Sequence, residues 1–250
     1  MNGRPGPVVL VLPEDMLTRM TAAQALQRFA ENWRLPVGNA FRYQDTFDNH
    51  YPLYAGDVGI GLNPRLAARI KAADLIIAIG PRLGEMTTNS YTLIEAPRPK
   101  QKLVHIHSSA DELNRVYQAD LAINATMNAA ARSLEVLTAP VTVIWEQWAL
   151  DANAEYLANL TLDKLPSDIA MPAVVGLLQK HLPPDAVPTN GAGNFASWTH
   201  RFYKHHGLVK GLKTQLAPTL GAMGYGVPAG IAAAITTGRV VPTMAGDGDF

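Results

Sequence analysis

Short apolar runs alternate along the chain with segments that have apolar residues at helical spacing. Leu75 to Ile79 is an almost continuous apolar run that ends at Gly80, which is typical of a parallel strand buried on both faces. The runs at 102–107 and 121–124 repeat that pattern. Helical spacing predicts helices at 21–32, 64–71, 110–116 and 127–137. Strands that alternate with helices predict a doubly wound parallel sheet, a Rossmann-like α/β domain.

The beginning of the chain has the pattern of a turn, a buried strand and a stop. Glycine and proline alternate in residues 3–7, Val8 to Leu12 are apolar, and Pro13-Glu14-Asp15 follow. Leu35-Pro36-Val37 indicates the start of another strand after the first helix.

Residues 138–170 are mostly helical in pattern and contain Trp145 and Trp148. We expect a connector between two domains, in which the tryptophans pack rather than bind a ligand. Beyond it, the sequence predicts a helix at 172–181 that Pro183-Pro184 ends. Another helix is predicted at 195–203.

The last thirty residues, Gly221 to Phe250, contain the most distinctive pattern. Pro228 suits the first turn of a helix, the small residues after it allow close packing, and Gly238 suits a C-terminal stop. A short strand is predicted within 240–244, with a Gly-Asp-Gly-Asp turn at its carboxyl end, where open α/β sheets bind ligands.

Two glycine turns carry candidate chemistry. In residues 246–249, glycine N–H groups can surround an anion, and Asp247 offers the hard oxygen ligand that Mg²⁺ prefers. In residues 190–194, Asn-Gly-Ala-Gly-Asn precedes a predicted helix and could hold a phosphate. Each turn taken alone is better explained as an ordinary turn.

Composition excludes several classes of function. The 250 residues are 48% hydrophobic and carry 21 basic and 21 acidic side chains, so neither nucleic acid nor an anionic membrane is favoured as a partner. The absence of cysteine excludes disulfides and thiolate metal sites. The apolar runs are too short to span a bilayer, and we expect a cytoplasmic protein.

The predicted sheet contains two other candidate sites. The glycines of residues 56–61 do not follow a clear strand, so they fail the context that a dinucleotide-binding turn requires. His105 and His107 share one strand face and could form a metal pair, although a structural role is the simpler explanation.

Taken together and in this order, GAMGYGVP at 221–228 and GDG at 246–248 resemble the cofactor domain of thiamine-diphosphate enzymes of the acetolactate-synthase-like group. The resemblance implies Asp247 as a Mg²⁺ ligand and Met223 as the bulky residue that bends the cofactor. It also implies a set of contacts to thiamine diphosphate: Gly191, Gly193, Asn194, Gly221, Ala222, Met223, Gly246, Gly248 and Asp249.

The resemblance divides the chain into three parts. Residues 1–20 would end a preceding pyrimidine-binding domain, 21–140 would form the central Rossmann-like domain, and 141–250 would begin the diphosphate- and Mg²⁺-binding domain. The central domain of the family opens with a strand that we do not find between Met16 and Thr21. Either the chain lacks this strand or the alignment with the family is wrong at this point.

The implied function is decarboxylation and carboligation of a 2-oxo acid by a homodimer or homotetramer. FAD is not expected, because Arg82 to Met86 differ from the arginine-rich stretch of FAD-binding members. The resemblance implies an activating glutamate and a second metal ligand outside these 250 residues, so we name no catalytic residue and expect an incomplete enzyme. A non-catalytic fragment and a nucleotide-binding module for NAD or FAD remain the alternatives.

Overall fold

The computed structural model describes residues 8–12, 20–161, 170–208 and 212–249. The turns predicted at 3–7 and 13–15, part of the predicted connector, and Phe250 lie outside these residues. The strands are β1 Val8–Leu12, β2 Val37–Ala40, β3 Tyr54–Val58, β4 Leu75–Ile79, β5 Lys102–His107, β6 Leu121–Asn124, β7 Thr189–Asn190 and β8 Thr243–Met244. The α-helices are α1 Met20–Asn32, α2 Pro64–Ala72, α3 Met127–Glu135, α4 Glu146–Asn159, α5 Met171–His181, α6 Ala196–Phe202 and α7 Gly226–Thr237.

Six parallel strands form the main sheet in the order β3-β2-β1-β4-β5-β6. The strand order reverses between β1 and β4, which is the arrangement of a Rossmann fold and places a crevice at the carboxyl ends of the strands. This sheet confirms the predicted Rossmann-like α/β class. A second parallel pair, β7 with β8, begins a smaller sheet further along the chain.

The position of β1 corrects the sequence analysis. Leu10 of β1 pairs with Val37 on one side and with Ile77 on the other, so this strand lies at the centre of the main sheet. The prediction that residues 1–20 end a preceding domain is therefore wrong for Val8–Leu12. Val8–Leu12 therefore supply the opening strand of the central domain, and this strand precedes Met16 rather than lying between Met16 and Thr21.

Two other local predictions differ from the structure. Tyr54–Val58 forms the edge strand β3, although Gly56, with φ 114°, and Asp57 interrupt its apolar pattern. The helix predicted at 110–116 is instead a single 3₁₀ turn, Ala110–Glu112. Asn114 adopts φ 60°, a left-handed conformation that cannot continue a helix.

The helices cover both faces of the main sheet and bury its core. On one face, α1 packs against α3 through apolar residues that include Leu26, Phe29 and Ala131, all at most 2% exposed. On the other face, α4 packs against α2 and β3, and Tyr156 meets Tyr54 edge-on with ring centroids 4.9 Å apart. Thus α4, assigned by sequence to the second domain, is packed on the central one.

The two tryptophans of the predicted connector pack, as expected. The indole N–H of Trp145 donates to the carbonyl of Trp33 at 3.0 Å. Trp148 lies under the guanidinium of Arg69, with 4.7 Å from its central carbon to the ring. Arg69 also donates two hydrogen bonds to Glu155 at 2.6 and 2.9 Å, which ties α2 to α4.

Asp57 of β3 carries a carboxyl group whose protonation should affect stability near neutral pH. Burial raises the pKa of this carboxyl from its ordinary value to about 6. A pKa that is higher in the folded state means that folding is favoured by protonation. This contribution is complete below the unfolded pKa near 3.9 and is lost as the pH rises through 6.

We predict that Asp57→Asn increases the free energy of unfolding at pH 7.5 by about 1–3 kcal/mol, because it removes an unfavourable half-buried charge. The gain should shrink towards zero at about pH 4, where the wild-type carboxyl is protonated in the folded protein. Urea unfolding at both pH values measures the difference. Asp74→Asn, at an exposed turn, is the matched control and should change stability by less than about 0.5 kcal/mol at either pH. A destabilised Asp57→Asn variant at pH 7.5 would contradict this account.

Candidate functional site

The two predicted glycine turns meet at the carboxyl ends of β7 and β8. Thr189 pairs with Thr243 and Asn190 with Met244 in a parallel register, so both strands end side by side. Gly191 follows β7 directly, and its N–H donates to the carbonyl of Met244 at 3.2 Å. The structure therefore brings together segments that lie more than 50 residues apart in the sequence.

Helix α7 approaches this strand pair closely because it presents glycine to it. A Cβ at Gly226 would overlap the backbone of Asn190 and Gly191. A Cβ at Gly230 would overlap the hydroxyl of Thr243. That small residues in this segment would allow close packing is confirmed, and Gly238 ends the helix with φ 64° as predicted.

The carboxylate of Asp249 lies between the turn after β7, the turn after β8 and the loop that precedes α7. It accepts hydrogen bonds from the N–H of Gly224 and the N–H of Gly246, both at 2.9 Å. These backbone donors, with a further contribution from Ala192, hold the pKa of Asp249 below its ordinary value. A Cβ at Gly191 would overlap this carboxylate. Asp249 therefore occupies the anion cradle that the glycines build.

Asp247 has the opposite environment. Its side chain is exposed, and one carboxylate oxygen accepts from the N–H of Gly248 at 3.0 Å, which fixes the turn. The rest of the carboxylate is accessible from solvent. This arrangement suits a divalent cation that is held between a protein carboxylate and the oxygens of a bound phosphate.

The side chain of Met223 lies against the turn formed by residues 246–249. Its side chain is 62% exposed, and a Cβ at Gly248 would overlap its terminal methyl group. Met223 is therefore not part of the hydrophobic core. Gly221 and Ala222 are exposed on the same loop. An apolar side chain held in the open beside an anion cradle can support the middle of a bent ligand.

Gly193 and Asn194 lie slightly apart from the Asp249 cradle. They are exposed and line a cleft whose opposite wall includes Arg42 and Asp57 of the central domain. A Cβ at Gly193 would overlap the ring of Phe195. The cleft connects the turn after β7 to the edge of the main sheet. Arg42 and Asp57 were not identified from the sequence, because no local pattern marks either residue.

A second crevice lies at the carboxyl ends of β2, β4 and β5. It is lined by residues that include Phe41, Gly80, Arg82 and Ser108. Contrary to the sequence analysis, the glycines at 59 and 61 do follow a strand, but this strand is β3 at the edge of the sheet. A Cβ at Gly59 would overlap Phe41, so this glycine serves local packing.

The histidines of β5 have structural partners in the backbone. A ring nitrogen of His105 lies 3.0 Å from the carbonyl of Pro81. The Nδ1 atom of His107 accepts from the N–H of Ser109 at 3.0 Å. The two rings are 5.9 Å apart and tilted by 60°. These contacts favour the structural role over a metal pair.

Comparison with known proteins identifies two parts of the chain separately. Residues 9–134 match the family described as the thiamine pyrophosphate enzyme, central domain. Residues 191–250 match the thiamine pyrophosphate enzyme, C-terminal TPP binding domain. The first match begins within β1, in agreement with the position of that strand in the main sheet.

Similar proteins carry more than one enzyme name. The chain is 24% identical over 231 residues to the acetolactate synthase isozyme 2 large subunit of Escherichia coli, with 92% of this chain and 40% of the relative covered. It is 27% identical over 238 residues to the acetolactate synthase large subunit of Corynebacterium glutamicum, covering 92% and 37%. It is 26% identical over 264 residues to 3D-(3,5/4)-trihydroxycyclohexane-1,2-dione hydrolase 2 of Bacillus cereus, covering 92% and 39%.

The chain thus spans about two fifths of the length of these relatives. Within the residues that the structure describes, every helix is too short or too polar to cross a membrane. The family matches cover the main sheet from residue 9 and the chain from Gly191 onward, which includes β8 and the glycines of both turns that meet at Asp249. On this basis, the chain belongs to the family of thiamine-pyrophosphate enzymes and carries its central domain together with part of its cofactor-binding domain.

Proposed function

We propose that this chain forms the central and diphosphate-binding parts of a thiamine-diphosphate- and Mg²⁺-dependent enzyme that decarboxylates and joins 2-oxo acids. One observation carries the proposal: both glycine turns and the start of α7 converge at the ends of β7 and β8, with the exposed carboxylate of Asp247 beside them. This is the arrangement that a pyrophosphate group and its cation require.

Each site residue then has a role that its position supports. Asp247 would bind Mg²⁺, because its carboxylate is open on the outer side of the turn. The backbone of Gly246 and Gly248, and the turn with Gly191, Gly193 and Asn194, would surround the diphosphate. Met223, with Gly221 and Ala222, would support the bent cofactor. When bound, thiamine diphosphate supplies a carbanion that adds to a ketone and then stabilises negative charge.

The resemblance implies that Asp249 contacts the cofactor, but the position of its carboxylate conflicts with a bound diphosphate. Its carboxylate already accepts from two of the cradle's N–H groups, and a diphosphate in the same cradle would meet a like charge. We therefore propose that only the backbone of Asp249 faces the diphosphate and that its side chain competes with this group.

The substrate and the assembly are also proposals. A 2-oxo acid is favoured because most of the similar proteins are named acetolactate synthases, whereas the hydrolase from Bacillus cereus shows that the names diverge. A homodimer or homotetramer is proposed because the resemblance implies an active site between subunits. A cytoplasmic location stays a prediction from composition.

A nucleotide site in the central domain is the second candidate. The strand order 3-2-1-4-5-6 and the crevice beside Gly80 and Arg82 favour it. A thermal-shift screen would support it if NAD or FAD stabilised the protein and thiamine diphosphate did not. Stabilisation by thiamine diphosphate alone would support the first proposal.

We predict that Asp247→Asn weakens thiamine diphosphate binding at saturating Mg²⁺ by about tenfold or more, because it removes a charged metal ligand. Without Mg²⁺, the variant and the wild type should bind equally weakly. Isothermal calorimetry with and without Mg²⁺ measures both. Asp151→Asn, an exposed carboxylate on α4, is the control and should behave as wild type. A variant that kept its full response to Mg²⁺ would exclude Asp247 as the ligand.

We predict that Asp249→Ser and Asp249→Asn each bind inorganic pyrophosphate at least about tenfold more tightly than the wild type, because both remove the competing charge and free backbone donors. Calorimetric titration with pyrophosphate measures the affinity, and thermal unfolding checks that each variant is folded. Weaker binding by both folded variants would show instead that the Asp249 carboxylate maintains the shape of the cradle.

A further inference from the structure

A second group of potential metal ligands lies where the central domain meets the segment that follows α6. Asp48 and His50 belong to a turn between β2 and β3, and His206 lies beyond the end of α6. One ligand atom from each of these three side chains lies within 4.8 Å of the other two. None of the three residues belongs to the cofactor motifs.

The backbone that carries these side chains is fixed by buried neighbours. Asp48 and His206 are paired by an antiparallel bridge. Between the ligands, the N–H of Asn49 donates to the carbonyl of His205 at 2.8 Å, and the N–H of His205 donates to the side chain of Asn49 at 2.9 Å. Both Asn49 and His205 are 2% exposed. The framework is therefore in place before any ion binds, which lowers the cost of ordering the site.

The side chains themselves are already close to one another. The Nδ1 atom of His50 lies 2.9 Å from a carboxylate oxygen of Asp48. The rings of His50 and His206 are stacked, with centroids 4.2 Å apart and 14° between their planes. A neutral imidazole offers a ring-nitrogen lone pair to a metal ion. His50 and Asp48 are 36% and 35% exposed at their side chains, so an ion can reach them from solvent.

We propose that Asp48, His50 and His206 bind a divalent transition-metal ion, and that Zn²⁺ is the ion that suits these ligands best. Two imidazole nitrogens and one carboxylate oxygen are ligands that Zn²⁺ accepts, with water in the fourth position. Imidazole is a poor ligand for Mg²⁺ and Ca²⁺, which prefer oxygen. The ion links residues 48–50 to residue 206 and so joins the central domain to the part of the chain that carries the cradle. Its role is structural.

The ion is expected to raise the melting temperature, because it binds an arrangement that exists only in the folded chain. At a Zn²⁺ concentration about one hundred times the dissociation constant, we expect a rise of about 5–10 °C for a chain of this size. Mg²⁺ at the same concentration should give no comparable rise in the absence of thiamine diphosphate.

The experiment uses the untagged full chain after treatment with a chelator. Calorimetric titration with ZnCl₂ should show one site, and Co²⁺ should give an absorption spectrum of nitrogen and oxygen coordination. His50→Ala and His206→Ala should each weaken Zn²⁺ binding by at least about tenfold and abolish the rise in melting temperature. Asp48→Asn should weaken binding while leaving both histidines in place. Far-UV circular dichroism and the melting temperature without metal verify the fold of each variant.

Two controls separate this site from other ligands. His181→Ala removes an exposed histidine from the end of α5, and Asp247→Asn removes the carboxylate assigned to Mg²⁺. Both should bind Zn²⁺ as the wild type does. The proposal is overturned if Zn²⁺ does not bind, if folded His50→Ala and His206→Ala variants bind with wild-type affinity, or if His181→Ala loses the site instead.

Discussion

The close approach of α7 to the β7–β8 pair is the contact on which the candidate cofactor site depends. The two strands contribute only two residues each, so their backbone pairing alone is weak. The hydroxyls of Thr189 and Thr243, 2.8 Å apart, and the absence of a side chain at Gly226 and Gly230 let the helix lie directly against them. A larger residue at either glycine would separate the helix from the strands and move the cradle's donors away from one another.

The same convergence creates a conflict between stability and binding. Backbone N–H groups that point into a cradle need acceptors, which the protein, water or a ligand can supply. In this chain, the carboxylate of Asp249 supplies that acceptor to Gly224 and Gly246. Whatever satisfies these donors in the absence of a ligand also opposes the arrival of an anionic one. Stability of the ligand-free cradle and affinity for a diphosphate are therefore coupled through one side chain.

The sequence was sufficient where local signals agree with the tertiary structure. Pro228, Gly238 and the Gly-Asp-Gly turn define α7 and β8 by their own backbone preferences, and the apolar run of β4 needs no partner to be recognised. The sequence predicted β1 as a strand but not its place between β2 and β4, because no local pattern encodes which strands become neighbours. It also failed for Gly56 and Asn114, whose positive φ values depend on the surrounding chain.

Contacts across long sequence separations explain why the two parts of the chain are held in a defined relation. Asp45 of the central domain is fully buried and accepts from the N–H of Thr214 at 2.8 Å and of Gln215 at 3.1 Å. The side chain of Gln215 in turn accepts from the N–H of Gln44 at 2.9 Å. Burial raises the pKa of Asp45, so these bonds add little net stability, but a shifted arrangement would leave a buried carboxyl without partners. The polar contacts therefore select one orientation of the cradle relative to the main sheet, and apolar packing within each part supplies the stability.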